Sequence, residues 1–470
     1  MMYMYKTLKT PFNYFVYDGN TNAILNITKE EHESLERIEK GNESDEDLKV
    51  LQHFYLNGFC KESNVKEIRH PEERNIQHYI DNMVTRLYLQ LTQNCNLRCD
   101  YCAYSGNYDN RMHSNKVMTR DIATKAVDFL IMHSKNVDRC DVGFYGGEPL
   151  LEFSLMKDII SYIKYNYPEK NITYTITTNG TLLTPEVIEF LYNNKFTLII
   201  SLDGHKECQD ANRRFVNGKG TFSTVVKNLN IIRNEYPEFF SKVLINSVVS
   251  PNSDFACVTK FFSADEAVKD LAVISGIISD NYIKDPVYYP DEYFMVERFE
   301  TFKAMLWSIG KIDLELVSKL FVRWKGTTSE KYRILRNLGH LSQCHHPGGP
   351  CIPGKHRLFI DSDGNFFPCE KVSEQSKVMK IGSLEEGIDL EKVKAIINIA
   401  QCTKEKCLKC WCFSLCAQCA ANADDLSGNF SKERRLSKCE PIKRSIIEDL
   451  LDICFLKENN FNFEEGVIDI

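Results

Sequence analysis

The chain has 470 residues, of which 43% are hydrophobic and 26% charged, and its formal net charge is −7. This is the composition of an ordinary globular protein with material for a large core, and at about 150 residues per domain the length predicts roughly three domains. The negative charge gives no electrostatic reason to expect nucleic acid or an anionic membrane as partner. No stretch approaches the ~20 apolar residues of a membrane helix, and the N-terminus lacks the pattern of a secretory signal. We therefore expect a cytoplasmic location.

The N-terminal end of the chain predicts a small separate unit. Two strands, 12–17 and 22–27, flank a short turn. Two helices are expected to begin after Thr28 and Ser44, because each of these N-cap residues is followed three positions later by an acidic residue. The polar and charged segment 61–78 then predicts a linker.

The middle of the chain alternates predicted strands with helical patterns, for instance helices over 120–134 and 153–165. The predicted strands are 86–92, 140–145, 172–178, 196–202, 242–249 and 271–278. Such alternation indicates a parallel sheet, which could be an open doubly wound sheet or a partial barrel. In both architectures ligands gather at the carboxyl ends of the strands.

The cysteines are too many and too clustered for a chain without a metal. Eighteen are present; ten lie between Cys344 and Cys439, and three lie between Cys95 and Cys102. Because the cytosol keeps thiols reduced, disulfides are not expected. Clustered cysteines in a reducing compartment favour metal ligation.

The first cysteine group, Cys95, Cys99 and Cys102, directly follows a predicted strand. At the cysteine content of this chain, a given Cys-x3-Cys-x2-Cys spacing should arise by chance about 0.03 times. Three thiolates leave one iron of a cubane 4Fe–4S cluster without a protein ligand, and that iron can bind the amine and carboxylate of S-adenosylmethionine (SAM). A zinc site is the alternative, but it needs a fourth ligand, and the nearest histidine, His113, is eleven residues away.

This cysteine loop resembles the hallmark of the radical SAM superfamily, which places an aromatic residue, here Tyr101, before the third cysteine. The turn after the second strand, Gly146, Gly147, Glu148 and Pro149, is similar to the motif with which that family holds the SAM amine. The family's ribose and carboxylate contacts are matched by Asn179, Ser201, Asp203 and Arg214, and Arg213 could exchange roles with Arg214. The resemblance implies an α/β fold with a partial (β/α)6 TIM-type barrel, a 4Fe–4S cluster and bound SAM.

A second cysteine field occupies the last third of the chain. Its members are Cys344, Cys351, Cys369, Cys402, Cys407, Cys410, Cys412, Cys416, Cys419 and Cys439. Cys-x2-Cys pairs bind zinc as readily as iron, so zinc ribbons and iron–sulfur clusters are equal alternatives on spacing alone. A hairpin with Asp363 and Gly364 at its turn precedes Cys369.

The same field is similar to the SPASM extension of peptide-modifying radical SAM enzymes, which houses two auxiliary 4Fe–4S clusters. By position, the resemblance implies one cluster at Cys344, Cys351, Cys369 and Cys419, and another at Cys407, Cys410, Cys416 and Cys439. Two departures are a shortened spacing between Cys416 and Cys419 and the surplus of Cys402 and Cys412. Glu370 stands where related sulfatase-activating enzymes carry an acidic residue proposed as a base, and it is the candidate catalytic residue.

Three domains are expected: a winged-helix-like α+β unit over 1–78, a radical SAM core and linker over 79–340, and a SPASM domain over 341–470. The first resembles the precursor-recognition domain of ribosomal-peptide maturases, where a leader peptide adds a strand to a sheet edge.

The implied function is a maturase that forms Cys-to-carbon thioethers in a leader-bearing precursor peptide through a 5′-deoxyadenosyl radical. A reducing partner such as flavodoxin or ferredoxin is also implied. Carbon–carbon cross-linking, epimerisation and sulfatase formylglycine formation stay open, as does a zinc-ribbon binding protein without SAM turnover.

Overall fold

A three-stranded antiparallel sheet begins the chain in the computed structural model, which describes residues 3–109, 111–348 and 350–464. Its strands are β1 (Tyr5–Lys9), β2 (Tyr14–Asp18) and β3 (Ala23–Ile27), followed by helices α1 (Lys29–Glu39) and α2 (Asp45–Leu56). The predicted helix starts are confirmed, because Thr28 and Ser44 both form complete capping boxes. The first strand, β1, was not predicted.

The segment predicted as a linker is tied into the structure. Its short strand β4 (Glu67–Ile68) pairs in parallel with Cys344–His345, and helix α3 (Ile76–Asn82) follows. The charged side chains of this segment face solvent, whereas Val65 and Ile68 are buried. The predicted linker segment is therefore anchored to the rest of the protein by the pairing of β4 and by its buried apolar residues.

The strands of the central region are β5 (Arg86–Thr92), β6 (Leu97–Cys99), β7 (Arg139–Gly146), β8 (Asn171–Thr178), β9 (Thr197–Ser201), β10 (Arg213–Phe215), β11 (Leu244–Val249) and β12 (Ala272–Ile277). Six of them are parallel and form the central sheet in the order β5-β7-β8-β9-β11-β12. The helices are α4 (Arg120–Met132), α5 (Phe153–Asn166), α6 (Pro185–Asn193), α7 (Lys206–Asn212), α8 (Phe222–Glu235), α9 (Pro237–Phe240) and α10 (Phe255–Ala264). All six predicted strands are confirmed, and the fold is an α/β partial barrel.

The barrel is held together by apolar side chains on one face of its strands. Strand β7 is the example: Val142 and Phe144 are completely buried on the same face, and Cys140 is buried with them. Helix α4 covers the sheet with Ala123, Val127 and other side chains at helical spacing. Apolar residues at alternate positions of a strand, next to helices with an apolar face, are a pattern that the sequence reveals.

The C-terminal part of the chain continues the same sheet. Strand β14 pairs in parallel with β5, and the predicted hairpin is confirmed as an antiparallel pair of β14 and β15. The remaining strands are β13 (Cys344–His345), β14 (Leu358–Ile360), β15 (Asn365–Phe367), β16 (Gly382–Ser383) and β17 (Gly387–Ile388). The remaining helices are α11 (Asp291–Ser308), α12 (Trp324–Leu338), α13 (Leu390–Ile397), α14 (Lys404–Cys407), α15 (Lys432–Ser437) and α16 (Cys439–Glu458). Within the described ranges, every helix is too short or too polar to cross a bilayer.

The N-terminal sheet packs directly on the second cysteine field. One face carries Tyr5 and Val16 against α1 and α2, whereas the other carries Tyr17 against Cys412 and helix α16. The ring of Tyr17 meets that of Trp411 edge-on, with 6.1 Å between centroids. The turn after β2 reaches the same loop, because a Cβ on Gly19 would lie 2.3 Å from the Trp411 carbonyl oxygen.

We predict that Gly19→Ala loosens this contact and lowers the free energy of unfolding by about 1–3 kcal/mol. The added methyl group would force the backbone at Gly19 or at Trp411 to shift. Gly276→Ala is the matched control, because a Cβ there meets nothing within 4 Å. Denaturant unfolding of both variants, with limited proteolysis of the N-terminal unit, measures the effect. Equal stability of the two variants would contradict the close approach.

Candidate active site at the carboxyl ends of the barrel strands

The loop after β5 carries the first cysteine group. Backbone N–H groups donate to two of its sulfurs: Leu97 to Cys95 Sγ at 3.3 Å and Tyr104 to Cys102 Sγ at 3.4 Å. Such donors stabilise a thiolate. Burial is the main cause that raises the pKa of Cys95 and of Cys99 to about 12, and neighbouring thiols contribute to the rise. The short loop keeps the three cysteines within eight residues of sequence, and three thiolates are the donor set of a cluster with one open iron.

The loop after β7 is hydrogen-bonded to this cysteine loop. Gly147 N–H donates to the Thr92 carbonyl at 2.8 Å, and Glu148 N–H donates to the Asn94 carbonyl at 2.9 Å. A Cβ on Gly146 would lie 2.2 Å from the Thr92 oxygen, and one on Gly147 would lie 2.1 Å from the Asn94 oxygen. Gly146 also has a φ of +135°. Both glycines are thus required by the backbone that they contact.

The carboxylate of Glu148 joins the loops after β7 and β8. It accepts hydrogen bonds from Asn179 N–H at 2.8 Å, Thr178 Oγ1 at 2.7 Å and Leu150 N–H at 3.1 Å. Burial raises the pKa of Glu148 to about 7, although these donors oppose the shift. The Asn179 amide in turn lies 3.8 Å from Cys95 Sγ. Glu148 therefore fixes one predicted SAM contact beside the first cysteine.

Asp203, after β9, is the acceptor of a second buried network. Its carboxylate accepts from Arg213 Nε at 3.0 Å, from the Tyr101 hydroxyl and from Val248 N–H at 3.0 Å. The Arg213 guanidinium also lies 5.3 Å from the centroid of the Tyr101 ring. Ser201 ends the same strand and is buried.

Of the two adjacent arginines, the structure brings Arg213 and not Arg214 to this network. Arg213 is buried, whereas Arg214 is exposed and donates to the Asp210 carbonyl at 2.8 Å. Strand β10 explains the difference, because successive side chains of a strand point to opposite faces. Arg213 is therefore better placed than Arg214 to make the predicted contact.

Glu370, the candidate base, is held by an arginine. Both of its carboxylate oxygens accept from Arg357 Nη1, at 2.6 and 2.9 Å, and Arg357 lies 5.0 Å from the centroid of the Tyr88 ring. The ion pair stabilises the carboxylate as an anion. Acting as a base, Glu370 would have to give up part of this pairing.

A buried polar network beside Glu370 was missed by sequence reasoning. Arg111 Nη2 donates to the Glu370 carbonyl at 2.7 Å, and Arg111 Nε lies 3.1 Å from Glu374 Oε2. Gln90 Nε2 donates to Tyr104 Oη at 2.7 Å and also bonds Glu374. The only signal in the sequence was Gln90, a lone amide inside an apolar strand; Arg111 and Glu374 lie in loops without any pattern.

The first predicted auxiliary group is partly assembled. Burial is the main cause that raises the pKa of Cys369 to about 11, with contributions from Glu370 and Cys419. The pKa of Cys419 is likewise raised by burial and by Cys351. Cys344 lies in β13, where Arg69 Nε donates to its sulfur at 3.4 Å.

The second predicted auxiliary group lines one cavity of about 380 Å³. Its walls include all four predicted cysteines, Cys407, Cys410, Cys416 and Cys439. The surplus Cys412 lies there too, with its sulfur 3.5 Å from that of Cys410. Burial raises the pKa of Cys416 to about 11, against the charge of Arg435. The donor set and the space fit an iron–sulfur cluster.

In the described part of the chain, no three His, Cys, Asp or Glu side chains surround a single metal-ion position. A cubane cluster spreads its four ligands over the corners of an iron–sulfur cube, so its cysteines need not converge on one point.

A partial barrel with three cysteines after its first strand, braced by a Gly-Gly-Glu turn, is the arrangement that the resemblance to the radical SAM superfamily implies. Residues 89–261 match the radical SAM superfamily, and the chain therefore contains a radical SAM domain. The cysteine-type anaerobic sulfatase-maturating enzyme of Clostridium novyi (strain NT) is 28% identical over 339 residues, which cover 69% of this chain and 84% of the relative.

Two further comparisons agree in fold or family. The radical SAM cyclopropyl synthase TigE of Paramaledivibacter caminithermalis is 24% identical over 258 residues, covering 52% of this chain and 51% of TigE. The solved structure of native anSMEcpe with bound AdoMet superposes with a TM-score of 0.59 at 22% identity, over 80% of this chain and 99% of that one. The structural likeness shows a shared fold.

We predict that Arg213→Ala costs about 3–5 kcal/mol of stability, because it leaves the Asp203 carboxylate buried and unpaired. It should also lower 5′-deoxyadenosine formation by more than about tenfold, since Asp203 would no longer be fixed. Arg214→Ala is the matched control, and we expect both its stability and its 5′-deoxyadenosine formation to stay near those of wild type. Denaturant unfolding and chromatographic assay of 5′-deoxyadenosine measure the two effects, and equal losses would contradict the assignment.

A separate prediction concerns the first cysteine group. Replacing Cys95, Cys99 and Cys102 together by alanine should abolish 5′-deoxyadenosine formation from SAM under reducing conditions. Cys257→Ala, which changes an exposed cysteine on α10, should leave it unchanged. Persistence of the product in the triple variant would place SAM cleavage elsewhere.

Proposed function

We propose that this protein is a radical SAM maturase that forms Cys-to-carbon thioether cross-links in a ribosomally made precursor peptide. The observation that carries the proposal is the N-terminal sheet, which packs directly on the second cysteine field and whose β3 edge pairs with no further strand among the described residues. A sheet edge binds an extended peptide through main-chain hydrogen bonds, so the leader would dock beside the modification machinery.

The two edges of that sheet differ. The edge at β1 is closed, because Thr7 N–H donates to the Glu39 carboxylate and Met4 N–H donates to the Lys61 carbonyl. At β3, no further strand pairs with the outer edge within the described residues. The Ile24 carbonyl points outward to Lys457 Nζ at 3.4 Å. In an antiparallel strand alternate residues face the same edge, so the N–H of Asn26 also faces outward.

The barrel residues supply SAM binding in this proposal. Cys95, Cys99 and Cys102 would hold a 4Fe–4S cluster; when bound and reduced by a flavodoxin- or ferredoxin-like partner, it supplies the electron that splits SAM into methionine and a 5′-deoxyadenosyl radical. The Gly146–Pro149 turn would orient the SAM amine. Asn179, Ser201 and the Asp203–Arg213 pair would orient the ribose and carboxylate.

Thioether formation removes two hydrogens from the peptide: one from carbon, taken by the radical, and the thiol proton. Glu370 is the proposed acceptor of that proton, and Arg357 would hold its carboxylate in place. One electron remains to be accepted. The cysteine groups Cys344, Cys351, Cys369, Cys419 and Cys407, Cys410, Cys416, Cys439 would hold the two auxiliary 4Fe–4S clusters suited to that role.

Formylglycine formation on a sulfatase is the second candidate, favoured by the 28% identity to a sulfatase-maturating enzyme. The additional length of the chain favours a peptide with a leader as the substrate. The solved anSMEcpe structure is matched over 99% of its own length and covers 80% of this chain, so this protein carries about a fifth of additional chain.

Anaerobic co-expression with a cysteine-containing candidate precursor, followed by mass spectrometry, tests the proposal. A thioether appears as a loss of two hydrogens together with blocked alkylation of the thiol. A carbon–carbon cross-link also loses two hydrogens but leaves the thiol reactive, and epimerisation leaves the mass unchanged. Conversion of a cysteine in a sulfatase peptide to formylglycine, with no change in any precursor, would overturn the proposal.

We predict that Asn26→Pro lowers peptide binding and modification by about tenfold or more, because proline removes the outward N–H of the free edge. Asn26 is exposed on an edge strand, where proline is tolerated. Asn26→Thr, which keeps the N–H and suits a strand, is the matched control. Uncoupled 5′-deoxyadenosine formation should be equal in both variants, and equal peptide modification would exclude docking at β3.

A further inference from the structure

The cavity lined by Cys407, Cys410, Cys416 and Cys439 contains a buried cation that the proposed function does not use. Arg435, on helix α15, is 1% exposed and forms part of the cavity wall. It is among the largest fully buried side chains in the described part of the protein. A guanidinium is charged at every accessible pH, so this position holds a permanent positive charge.

The backbone and one nitrogen of Arg435 are held in place. Gln418 Nε2 donates to its carbonyl at 2.9 Å. Its Nε donates to Thr403 Oγ1 at 3.1 Å, and that hydroxyl lies 3.2 Å from Cys407 Sγ. Its Nη1, in contrast, is buried and has no hydrogen-bond partner among the described residues. The two N–H groups of Nη1 on this fixed guanidinium therefore have no acceptor among the described residues.

Among the described residues, no carboxylate forms an ion pair with Arg435. Lys443, another cation of the cavity wall, does have such a partner, Glu440 at 2.8 Å. A buried cation without a counter-ion is strongly unfavourable, and so is a buried donor without an acceptor. Four cysteine thiolates around an iron–sulfur cluster carry net negative charge and sulfur acceptors, which would satisfy both.

We propose that Arg435 is the electrostatic partner of the cluster held by Cys407, Cys410, Cys416 and Cys439, to which it donates a hydrogen bond through Nη1 and whose reduction potential it raises. The inference rests on the proposed second auxiliary cluster. Reduction adds one negative charge, so a fixed positive charge and an N–H···S bond at the site favour the reduced state. Arg435 therefore makes this cluster a better electron acceptor than the same cluster would be without it.

The test is a redox titration of anaerobically purified enzyme, followed by electron paramagnetic resonance. Wild type, Arg435→Gln and Arg435→Lys are compared, with Arg444→Gln as the control that removes an exposed arginine on the neighbouring helix. Iron, sulfide and zinc are measured on each sample, and three cubane clusters correspond to about twelve iron and twelve sulfide per chain.

We expect Arg435→Gln to shift the midpoint of one auxiliary signal to a more negative potential, with the SAM-binding signal unchanged. Arg435→Lys keeps the positive charge but loses the planar guanidinium with its several N–H donors. Its midpoint potential should fall between those of wild type and the Gln variant. Arg444→Gln should titrate as wild type does. Loss of about four irons per chain from Arg435→Gln, with full iron content in Arg435→Lys, would also support the inference. In that case the cluster is held only when the residue at this position is positively charged.

Unchanged midpoints in both Arg435 variants at full iron content would overturn the inference while leaving the auxiliary cluster in place. If Arg435→Gln does not fold, an unshifted midpoint in Arg435→Lys overturns it in the same way. Zinc in the wild-type cavity, with about eight irons or fewer per chain, would instead overturn the proposed function on which the inference rests.

Discussion

The hydrogen bonds between the Gly-Gly-Glu turn and the cysteine loop are the constraint on which the site depends. Gly147 and Glu148 each donate a backbone N–H to carbonyls of the loop that leads into Cys95. This contact is possible only without side chains at Gly146 and Gly147. The Glu148 carboxylate then extends the same bracing to the next loop. Three loops thus share one hydrogen-bonded frame, so the first cysteine and the predicted SAM contacts are positioned together.

Buried charge shapes the remainder of the molecule. Arg213 is paired with Asp203, Arg357 with Glu370 and Arg111 with Glu374. Each pair would be costly to break, because one partner would remain buried and charged. The pairs therefore rigidify the candidate site. Arg435 departs from this pattern.

Much of the fold could be predicted from the sequence, because its strands are apolar runs separated by amphipathic helices. The predicted strand 86–92, for example, coincides with β5. Elements of two or three residues, such as β4 and β13, carry too little periodicity to be recognised and exist because they pair with each other. Choosing between Arg213 and Arg214 needed the register of β10, which only its pairing with β6 determines.

The candidate site also contains both residues that the sequence could identify and residues that only the folded structure brings together. The spacing within each motif identified the cysteines and the glycine turn, because the residues of one motif are close together in the sequence. Arg111 and Glu374 come from loops far apart in the chain, and no local pattern marks residues that meet only in the folded structure. Arg435 is similar, because an arginine in a short helix looks solvent-facing until the helix is packed.

The pairing of β14 with β5 has a consequence for biosynthesis. Beside these strands, Thr85 Oγ1 donates to the Lys355 carbonyl across a sequence separation of 270 residues. At translation rates of about 5–20 residues per second, the open edge of β5 waits roughly 15–50 s for its partner to emerge from the ribosome. During this interval the barrel is an incomplete sheet with an edge of unpaired backbone N–H and C=O groups. Slow synthesis therefore lengthens the time for which the nascent chain exposes an edge that could pair with another chain.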